Sequence, residues 1–468
     1  MRISLFGFLF KGRQKRSLSK TTSNKHLKMN YLQHKFLLVL FKMKSLQNYD
    51  QSLIIMSHVY LKSFVVISLA ILLTFVFYWV FCVPINLTKH MDNITDWQVL
   101  CTSKNVRCKS KLAGVNRLRN SRLIGAKELP PPYPNGWYGI LESSKLKAGE
   151  STHMSCLGEH LIIYRSQGNK IYILDAYCPH LGANLGIGGR VVGDNIECPF
   201  HQWSFRGSDG VCTNIPYSTC VPPATKIKKW TSTEVNGFVF VWYSVEGSEI
   251  PWAIPKSVEV ESNKLIYHGR NEFYVHCHIQ EIPENGADLA HFRAIHNDNI
   301  VAECRNRKKN LLHWLGYHQW QASWSPLEDR HIAETRLNHI FKLFGKIQCF
   351  SMDVIGKQIG PAYVHLVLHS PTFGNFQIFQ TITPVEPLLQ KVVHRFYASR
   401  FMAPIMKFLI FGETVMFERD LNIWNHKMYR NNPMLLMEES SLKKFRKWYA
   451  QFYTVNSKSF QLETNTNW

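Results

Sequence analysis

The chain has 468 residues, with 55 Lys and Arg against 33 Asp and Glu, and a formal net charge of +22. This length predicts two or three packed units, and the 13% of aromatic residues excludes a largely disordered chain. Eleven cysteines are too few for a disulfide scaffold of this size, so some could bind metal. Residues 1–62 carry twelve basic residues and one acid, which is half of the net charge. The rest of the chain has an ordinary basic balance, which argues against a nucleic-acid partner.

An uncharged apolar run occupies residues 63–83. As a helix it would be about 31 Å long, and a bilayer core is roughly 30 Å thick. Tyr78 and Trp79 lie near one end, where amphipathic rings favour the membrane interface. No small-residue cleavage site follows the run. We therefore predict a transmembrane helix over residues 63–83, preceded by a basic, poorly ordered segment over residues 1–62.

The orientation of this helix stays open. Counting all of residues 1–62, the positive-inside rule places the N-terminus in the cytosol, but if Met56 is the true start, the flank after the helix is the more basic one. We expect a single-pass protein of the endoplasmic reticulum with its catalytic part in the cytosol. Residues 84–130 are polar and basic, and we interpret them as a linker. This linker contains two weak glycosylation sequons and two cysteines that could pair in an oxidising lumen: Asn86, Asn93, Cys101 and Cys108.

Two motifs combine Cys with His between residues 131 and 246, where short β-type runs alternate with turn signals. Two thiolates on one iron and two imidazoles on the other form a Rieske [2Fe–2S] centre. A structural zinc site is the alternative, although zinc fingers usually keep Cys with Cys and His with His. We predict that the cluster ligands are Cys178, His180, Cys198 and His201. The other cysteines beyond the linker lack ligand spacing and are expected to be buried apolar residues: Cys156, Cys212, Cys220, Cys277, Cys304 and Cys349.

A second candidate metal site contains Asp288, His291 and His296. Taken alone, such a His pair is more often an ordinary core or surface pair. Residues five apart on a straight helix point about 140° away from each other, so the helix must end or bulge before both rings can face one metal. No G-x-G-x-x-G or P-loop is present, so the chain has no evident nicotinamide or flavin site of its own.

The two Cys/His motifs resemble those of Rieske non-haem iron oxygenases, and Asp288-x₂-His291-x₄-His296 resembles the iron motif of the same family. The position after Gly182 is Ala183, where respiratory Rieske proteins carry an additional disulfide cysteine. The resemblance implies a mononuclear Fe(2+) bound by His291, His296 and a later carboxylate. Two His and one carboxylate leave open positions that suit O₂ chemistry. For the carboxylate we select Asp420, with Glu413 and Glu418 as rivals.

The resemblance also assigns a role to Asp288. In the family this carboxylate hydrogen-bonds an iron-ligand His of its own subunit and a cluster-ligand His of the neighbouring subunit, which implies a head-to-tail trimer. An ordinary capping or salt-bridging Asp is the alternative. The implied fold class is α+β: an N-terminal transmembrane helix, an all-β Rieske domain over residues 131–246, and a helix-grip (START-like) catalytic domain with an antiparallel sheet over residues 247–468.

Within that family, the sequence is most similar to the animal Neverland-type cholesterol 7-desaturases. It shares with them the N-terminal anchor, the C-P-H-L-G-A-N and C-P-F-H-x-W-x-F runs, and the N-G-A-D-x-x-H-F-x-x-I-H run. The resemblance implies O₂-dependent 7,8-dehydrogenation of cholesterol in steroid hormone (ecdysteroid-type) biosynthesis, with electrons from an NAD(P)H-dependent reductase or a ferredoxin-type donor. The alternatives are a steroid hydroxylase of the 3-ketosteroid 9α-hydroxylase kind, a chlorophyll-type ring oxygenase, a membrane-anchored Rieske electron-transfer protein, and a sterol carrier with inactive metal sites.

Overall fold

The computed structural model describes residues 24–89, 129–247, 251–297, 316–344 and 347–459. The chain divides into two compact units, Met1–Trp79 and Val80–Trp468. Several sequence-based expectations lie outside the described residues: the first part of the basic segment, most of the linker, and the residues Asn93, Cys101, Cys108 and Cys304.

The described residues of the first unit, 24–79, all belong to one long helix, α1 (Asn24–Cys82). Its stretch Met56–Cys82 is long and apolar enough to cross a membrane, and none of it is buried. The structure differs from the expectation of a poorly ordered segment for residues 24–62, which lie in α1, whereas residues 1–23 lie outside the described part of the chain. Residues 24–62 contain neither Gly nor Pro and are rich in Leu, Lys, Met and Gln, which favour helix. These residues form a helix even though their apolar side chains show little helical periodicity.

The second unit begins with the short strand β1 (Ile85–Lys89) and continues into an all-β part made of three small antiparallel sheets. The strands of this part are β2 (Gly136–Glu142), β3 (Ser151–Cys156), β4 (Glu159–Arg165), β5 (Ile171–Asp175), β6 (Arg190–Val192), β7 (Asn195–Glu197), β8 (Ser204–Arg206), β9 (Cys212–Asn214), β10 (Lys229–Trp230), β11 (Ser232–Val235) and β12 (Phe238–Tyr243). The sheets have the orders β10-β5-β4-β3, β11-β12-β2 and β6-β7-β8-β9. The small antiparallel domain expected from the sequence is therefore present.

The remaining residues form a large sheet with helices. The elements in chain order are α2 (Val258–Glu261), β13 (Ile266–Val275), α3 (Glu281–Glu284), α4 (Leu289–Ile295), β14 (Gly316–Pro326), β15 (Ile332–Leu343), β16 (Ile347–Ile359), β17 (Tyr363–Ser370), β18 (Gly374–Glu386), β19 (Leu389–Ala398), α5 (Ala403–Trp424) and α6 (Ser440–Tyr449). Short 3₁₀ turns occur at Ser143–Lys145, Arg400–Met402, Met437–Glu439 and Ala450–Phe452. The sheet has eight strands in the order β1-β13-β19-β18-β17-β16-β15-β14.

Every neighbouring pair in this sheet is antiparallel except β1 and β13. The predicted linker thus starts with an edge strand, which corrects the expectation of a simple spacer over residues 84–130. Ile85 and Leu87 are half-buried and pack against the apolar side chains beneath the sheet. Asn86, in the first sequon, accepts a hydrogen bond from the Tyr267 hydroxyl at 2.7 Å.

The long helix α5 packs against the sheet, as expected for an antiparallel sheet wrapped around a C-terminal helix. Phe417 lies 4.4 Å from Phe273 of β13 and 5.3 Å from Trp424, measured between ring centroids. Met406 and Ile410 are fully buried one to two turns into the helix. Burying each such side chain contributes about 1.5–3 kcal/mol, so packing rather than helix propensity fixes α5 against the sheet.

The all-β part and the large sheet share one hydrophobic core. Tyr138 and Val239 of the small sheets pack in the same cluster as Phe273 and Ile382 of the large sheet. Gly139 is required for this close approach, because a Cβ atom there would lie 2.4 Å from a Thr381 methyl group. The two parts are therefore joined by a continuous packed core.

The expectation of buried cysteines holds for Cys156, Cys212 and Cys277. It was wrong for Cys220 and Cys349, which are exposed. Cys220 follows the last short strand of the β6–β9 sheet in a Pro-rich loop, and Cys349 is the third residue of β16, where the first three residues are all exposed.

Candidate metal centres

The two Cys/His motifs form loops with the same backbone pattern. In the first loop the Cys178 N–H donates to Ala183 O at 2.9 Å, and the Gly182 N–H donates to Cys178 O at 2.9 Å. In the second loop the Cys198 N–H donates to Trp203 O at 2.8 Å, and the Gln202 N–H donates to Cys198 O at 3.0 Å. The fifth residue of each loop has a left-handed backbone, with φ of +73° at Gly182 and +60° at Gln202. This turn brings each Cys and its following His to the same end of the domain.

The four predicted cluster ligands come together. Cys178 and Cys198 are each 3% exposed, and the rings of His180 and His201 are 4.6 Å apart between centroids. His180 Nδ1 is buried and has no hydrogen-bond partner among the described residues. A buried ring nitrogen without a partner costs free energy unless something binds it. Two buried thiols and two adjacent imidazoles on paired loops fit a Rieske cluster in donor type and number.

Burial and, to a smaller extent, the adjacent Cys198 raise the pKa of Cys178 to about 11, although a hydrogen bond from the His180 backbone N–H opposes this shift. The thiol is therefore protonated at neutral pH when no metal is bound. Because a thiolate is the ligand form, cluster insertion at this site must release the proton.

Trp203 and Tyr217 support the cluster loops, and the sequence motifs did not identify either residue as functional. Trp203 stacks on His180 with ring centroids 4.6 Å apart and an interplanar angle of 8°. Its Nε1–H donates to the Tyr217 hydroxyl at 2.8 Å. The contact fixes the orientation of the His180 ring. The sequence signal for Trp203 was its place in the C-P-F-H-x-W-x-F run that the chain shares with the family.

The second site is built on α4 and the residue that follows it. Asp288 is the N-cap of α4, and its Oδ1 accepts a hydrogen bond from the His291 N–H at 3.2 Å. The helix ends at Ile295, and His296 is the C-cap with φ −102° and ψ 7°. As the five-residue spacing predicts, the helix ends before His296, which allows its ring to turn towards His291.

His291 and His296 converge with Asp420 of α5. Each residue offers one possible ligand atom, a ring nitrogen or a carboxylate oxygen, and these three atoms lie within 4.8 Å of one another. All three residues are buried. His296 Nε2 is 3.2 Å from Asp420 Oδ2. Two donors at right angles and about 2.1 Å from one metal lie about 3 Å apart. Asp420 Oδ1 is also buried without a hydrogen-bond partner in the described part of the chain. The trio therefore fits a single metal ion in donor type and spacing.

The rivals of Asp420 lie elsewhere. Glu413 pairs with His394 at 2.7 Å, and Glu418 pairs with Lys89 at 2.8 Å. Both carboxylates are engaged by other partners, whereas Asp420 faces the two His residues.

Burial lowers the pKa of His291, and the Asp288 backbone carbonyl opposes that shift by accepting a hydrogen bond from His291 Nδ1. A proton on Nδ1 leaves the Nε2 lone pair free for a metal. This contact differs in one detail from the expected role of Asp288. The carboxylate caps α4, and the carbonyl of the same residue contacts the His291 ring. An N-cap geometry requires the side chain for the first-turn N–H groups, which explains the difference.

Aromatic and polar groups missed by the sequence motifs surround this site. Trp320 of β14 donates its Nε1–H to His296 O at 3.1 Å, and Arg419 donates to Ile295 O at 3.2 Å. These two bonds fix the backbone between the helix end and His296. Next to Trp320, His318 and His339 form a buried ring pair with 2.7 Å between Nδ1 and Nε2. Burial lowers the pKa of His318 to about 4 and that of His339 to about 3, so both rings are neutral at physiological pH.

Known families and proteins match most of the chain. The Rieske [2Fe-2S] domain family matches residues 136–229, and the 3-ketosteroid 9alpha-hydroxylase C-terminal domain family matches residues 241–453. The cholesterol 7-desaturase nvd of Drosophila melanogaster is 55% identical over 409 residues, which cover 86% of this chain and 95% of that protein. The chain belongs to the cholesterol 7-desaturase family of Rieske oxygenases. The cholesterol 7-desaturase nvd of Xenopus laevis is 45% identical over 357 residues, which cover 75% of this chain and 78% of that protein.

A solved structure of similar fold is NdmA of Pseudomonas putida CBB5 with caffeine, with a TM-score of 0.50 and 16% identity. The match covers 67% of this chain and 89% of that protein, and at this identity it reports on the fold alone. Rieske oxygenases are oxidoreductases that use a [2Fe–2S] cluster and a mononuclear iron, and they receive electrons from a reductase or ferredoxin.

Proposed function

We propose that this chain is a cholesterol 7-desaturase, which removes one hydrogen each from C7 and C8 of cholesterol in an O₂-dependent reaction that yields 7-dehydrocholesterol. The observation that carries the proposal is the 55% identity to the Drosophila cholesterol 7-desaturase nvd across 95% of that protein. The convergence of His291, His296 and Asp420 supports it, because an oxygenase needs this second metal site in addition to the cluster.

The cluster is assigned to Cys178, His180, Cys198 and His201 within a Rieske domain over residues 131–246. The paired loops and the buried thiols support this assignment, as does His180 Nδ1, which is buried without a hydrogen-bond partner among the residues that the structure describes. Trp203 keeps the His180 ring oriented by stacking on it. The catalytic domain is assigned to residues 247–468.

The mononuclear iron is assigned to His291, His296 and Asp420. When bound, this iron supplies the O₂-activating chemistry that a C–H bond without an activating neighbour requires. The chain orients the two rings: the Asp288 carbonyl keeps the proton on His291 Nδ1, and Trp320 fixes the backbone at His296. Trp320 also packs against the rings of Phe292 and His339, which supports the position of its own ring beside the site.

Electron transfer is assigned to a head-to-tail homotrimer in which Asp288 lies between His291 of its own subunit and a cluster-ligand His of the next. Exposed apolar side chains lie on the cluster loops at Leu181 (65%) and Phe200 (60%), and beside them at Tyr217 (63%). Such a patch is typical of a surface that a neighbouring subunit or an electron donor covers. The donor is proposed to be an NAD(P)H-dependent reductase or a ferredoxin-type protein.

The apolar stretch Met56–Cys82 is proposed to anchor the chain in the endoplasmic reticulum with the catalytic part in the cytosol. A sterol substrate resides in the bilayer, and an anchor keeps the enzyme at the substrate.

The second candidate is a steroid hydroxylase, favoured by the match of residues 241–453 to the 3-ketosteroid 9alpha-hydroxylase C-terminal domain. The two reactions give different products from one substrate: desaturation makes a sterol two hydrogens lighter, and hydroxylation makes a sterol one oxygen heavier.

The test is expression of the full chain with a suitable reductase in cells fed with cholesterol, followed by mass spectrometry of the sterols. We expect 7-dehydrocholesterol from the wild-type chain and from Asp353→Ala, an exposed acid that pairs with Asn338 on the sheet surface. Asp420→Ala should yield none. A hydroxysterol as the main product would contradict desaturation and support the second candidate, a steroid hydroxylase.

A further inference from the structure

The outer face of the first half of α5 is apolar. Pro404, Phe408 and Phe411 are exposed and lie within an arc of about 60° on the helix, and Phe401 precedes them in the 3₁₀ turn. The exposed fractions are 87% for Phe401, 63% for Phe408 and 52% for Phe411. The exposed face of a helix in a soluble domain is normally polar. These four residues, named here the α5 apolar face, form a stripe about 15 Å long.

The chain enters the second unit beside this helix. The unit starts at Val80, immediately after the apolar helix residues, and the Lys407 side chain donates a hydrogen bond to the Val83 carbonyl. β1 follows two residues later and packs with Met406 and Ile410 of α5. The covalent connection to the proposed anchor therefore meets the unit on the helix that carries the α5 apolar face.

We propose that the α5 apolar face docks on the lipid bilayer and that the sterol reaches the catalytic site from there. This inference rests on the proposed anchor and on the proposed sterol substrate. Rings and apolar side chains beside a cation are typical of residues at the membrane interface, and Arg400 is exposed next to Phe401. The same helix carries Asp420, nine residues beyond Phe411, which corresponds to about 14 Å along the axis.

Photo-cross-linking of the full chain in phosphatidylcholine nanodiscs tests the docking directly. Phe408→p-benzoylphenylalanine is compared with Val258→p-benzoylphenylalanine, because both native side chains are exposed, at 63% and 71%, and Val258 lies outside the patch on the cluster loops. We expect phospholipid adducts at position 408 and no more than about one tenth as many at position 258. Equal lipid yields at both positions, or only protein–protein adducts at position 408, would overturn the proposal. The second of these results would assign the face to another copy of the chain.

A turnover measurement tests sterol entry. The triple variant Phe401→Ser, Phe408→Ser and Phe411→Ser is assayed with cholesterol supplied in vesicles and in detergent micelles. We expect the ratio of vesicle to micelle turnover to fall at least about tenfold, because each Phe contributes to bilayer binding. An unchanged ratio contradicts sterol entry at this face. The cross-linking result does not depend on turnover, so an inactive chain would refute the proposed function and leave the docking test intact.

Discussion

Replacement of Asp288 separates a structural role from a role in electron transfer. In the structure its Oδ1 accepts the His291 N–H at 3.2 Å and caps the seven-residue helix α4. Asn caps helices about as well as Asp, whereas Ala removes the cap at a cost of roughly 0.5–2 kcal/mol. Asp288→Asn should therefore change the free energy of unfolding little, and Asp288→Ala should lower it by about 1 kcal/mol.

Turnover should respond differently from stability. An Asn side chain is neutral and cannot provide the carboxylate that fixes a neighbouring imidazole, so Asp288→Asn should lose about 10- to 100-fold in turnover while both metals remain bound. If Asp288 acts only as a helix cap, Asp288→Asn should keep wild-type turnover, and only Asp288→Ala should lose turnover.

Thermal unfolding, iron content and O₂-dependent sterol turnover should be measured for both variants. Electron paramagnetic resonance of the reduced cluster serves as the control for an intact Rieske centre. Normal turnover of Asp288→Asn would refute the electron-transfer role and leave Asp288 as a helix cap.

Three further changes have distinct expected results. Cys198→Ser should abolish the reduced-cluster signal and leave one iron per chain, whereas Cys212→Ser, a buried cysteine of the same domain, should keep the signal. Asp420→Ala should lower the affinity for the mononuclear iron by at least about 100-fold and leave the cluster, as metal analysis after dialysis would reveal. Burial lowers the pKa of His278 from 6.5 to about 4. The neutral ring therefore makes its full contribution to the free energy of unfolding above pH 6.5, and this contribution is lost as the pH falls towards 4. This loss is about 2 kcal/mol at pH 5, and unfolding of His278→Gln should depend less on pH over that range.

The sequence alone predicted the parts of the site that depend on short-range geometry. The spacing of Cys178 from His180 and of Cys198 from His201 implied two bent loops, and the backbone bonds within each loop involve neighbours only. The interval from His291 to His296 required a helix end, which occurs at Ile295.

Contacts between distant segments could not be predicted in the same way. Trp320 reaches His296 because β14 packs beside α4, and His318 meets His339 because β14 and β15 pair. The choice of Asp420 came from a family resemblance, since the residues alone did not exclude Glu413. The strand β1 was missed because five residues at a sheet edge are too few for a reliable period-two signal.

The most direct test of the account is a single turnover of the purified full chain. Protein with a chemically reduced cluster and bound iron is mixed with O₂ and cholesterol in the absence of any reductase. The account predicts cluster oxidation, O₂ uptake and a sterol two hydrogens lighter than cholesterol, in proportion to the iron bound at His291, His296 and Asp420. Cluster oxidation without a new sterol, at full iron content, would contradict the account and reduce the protein to an electron carrier.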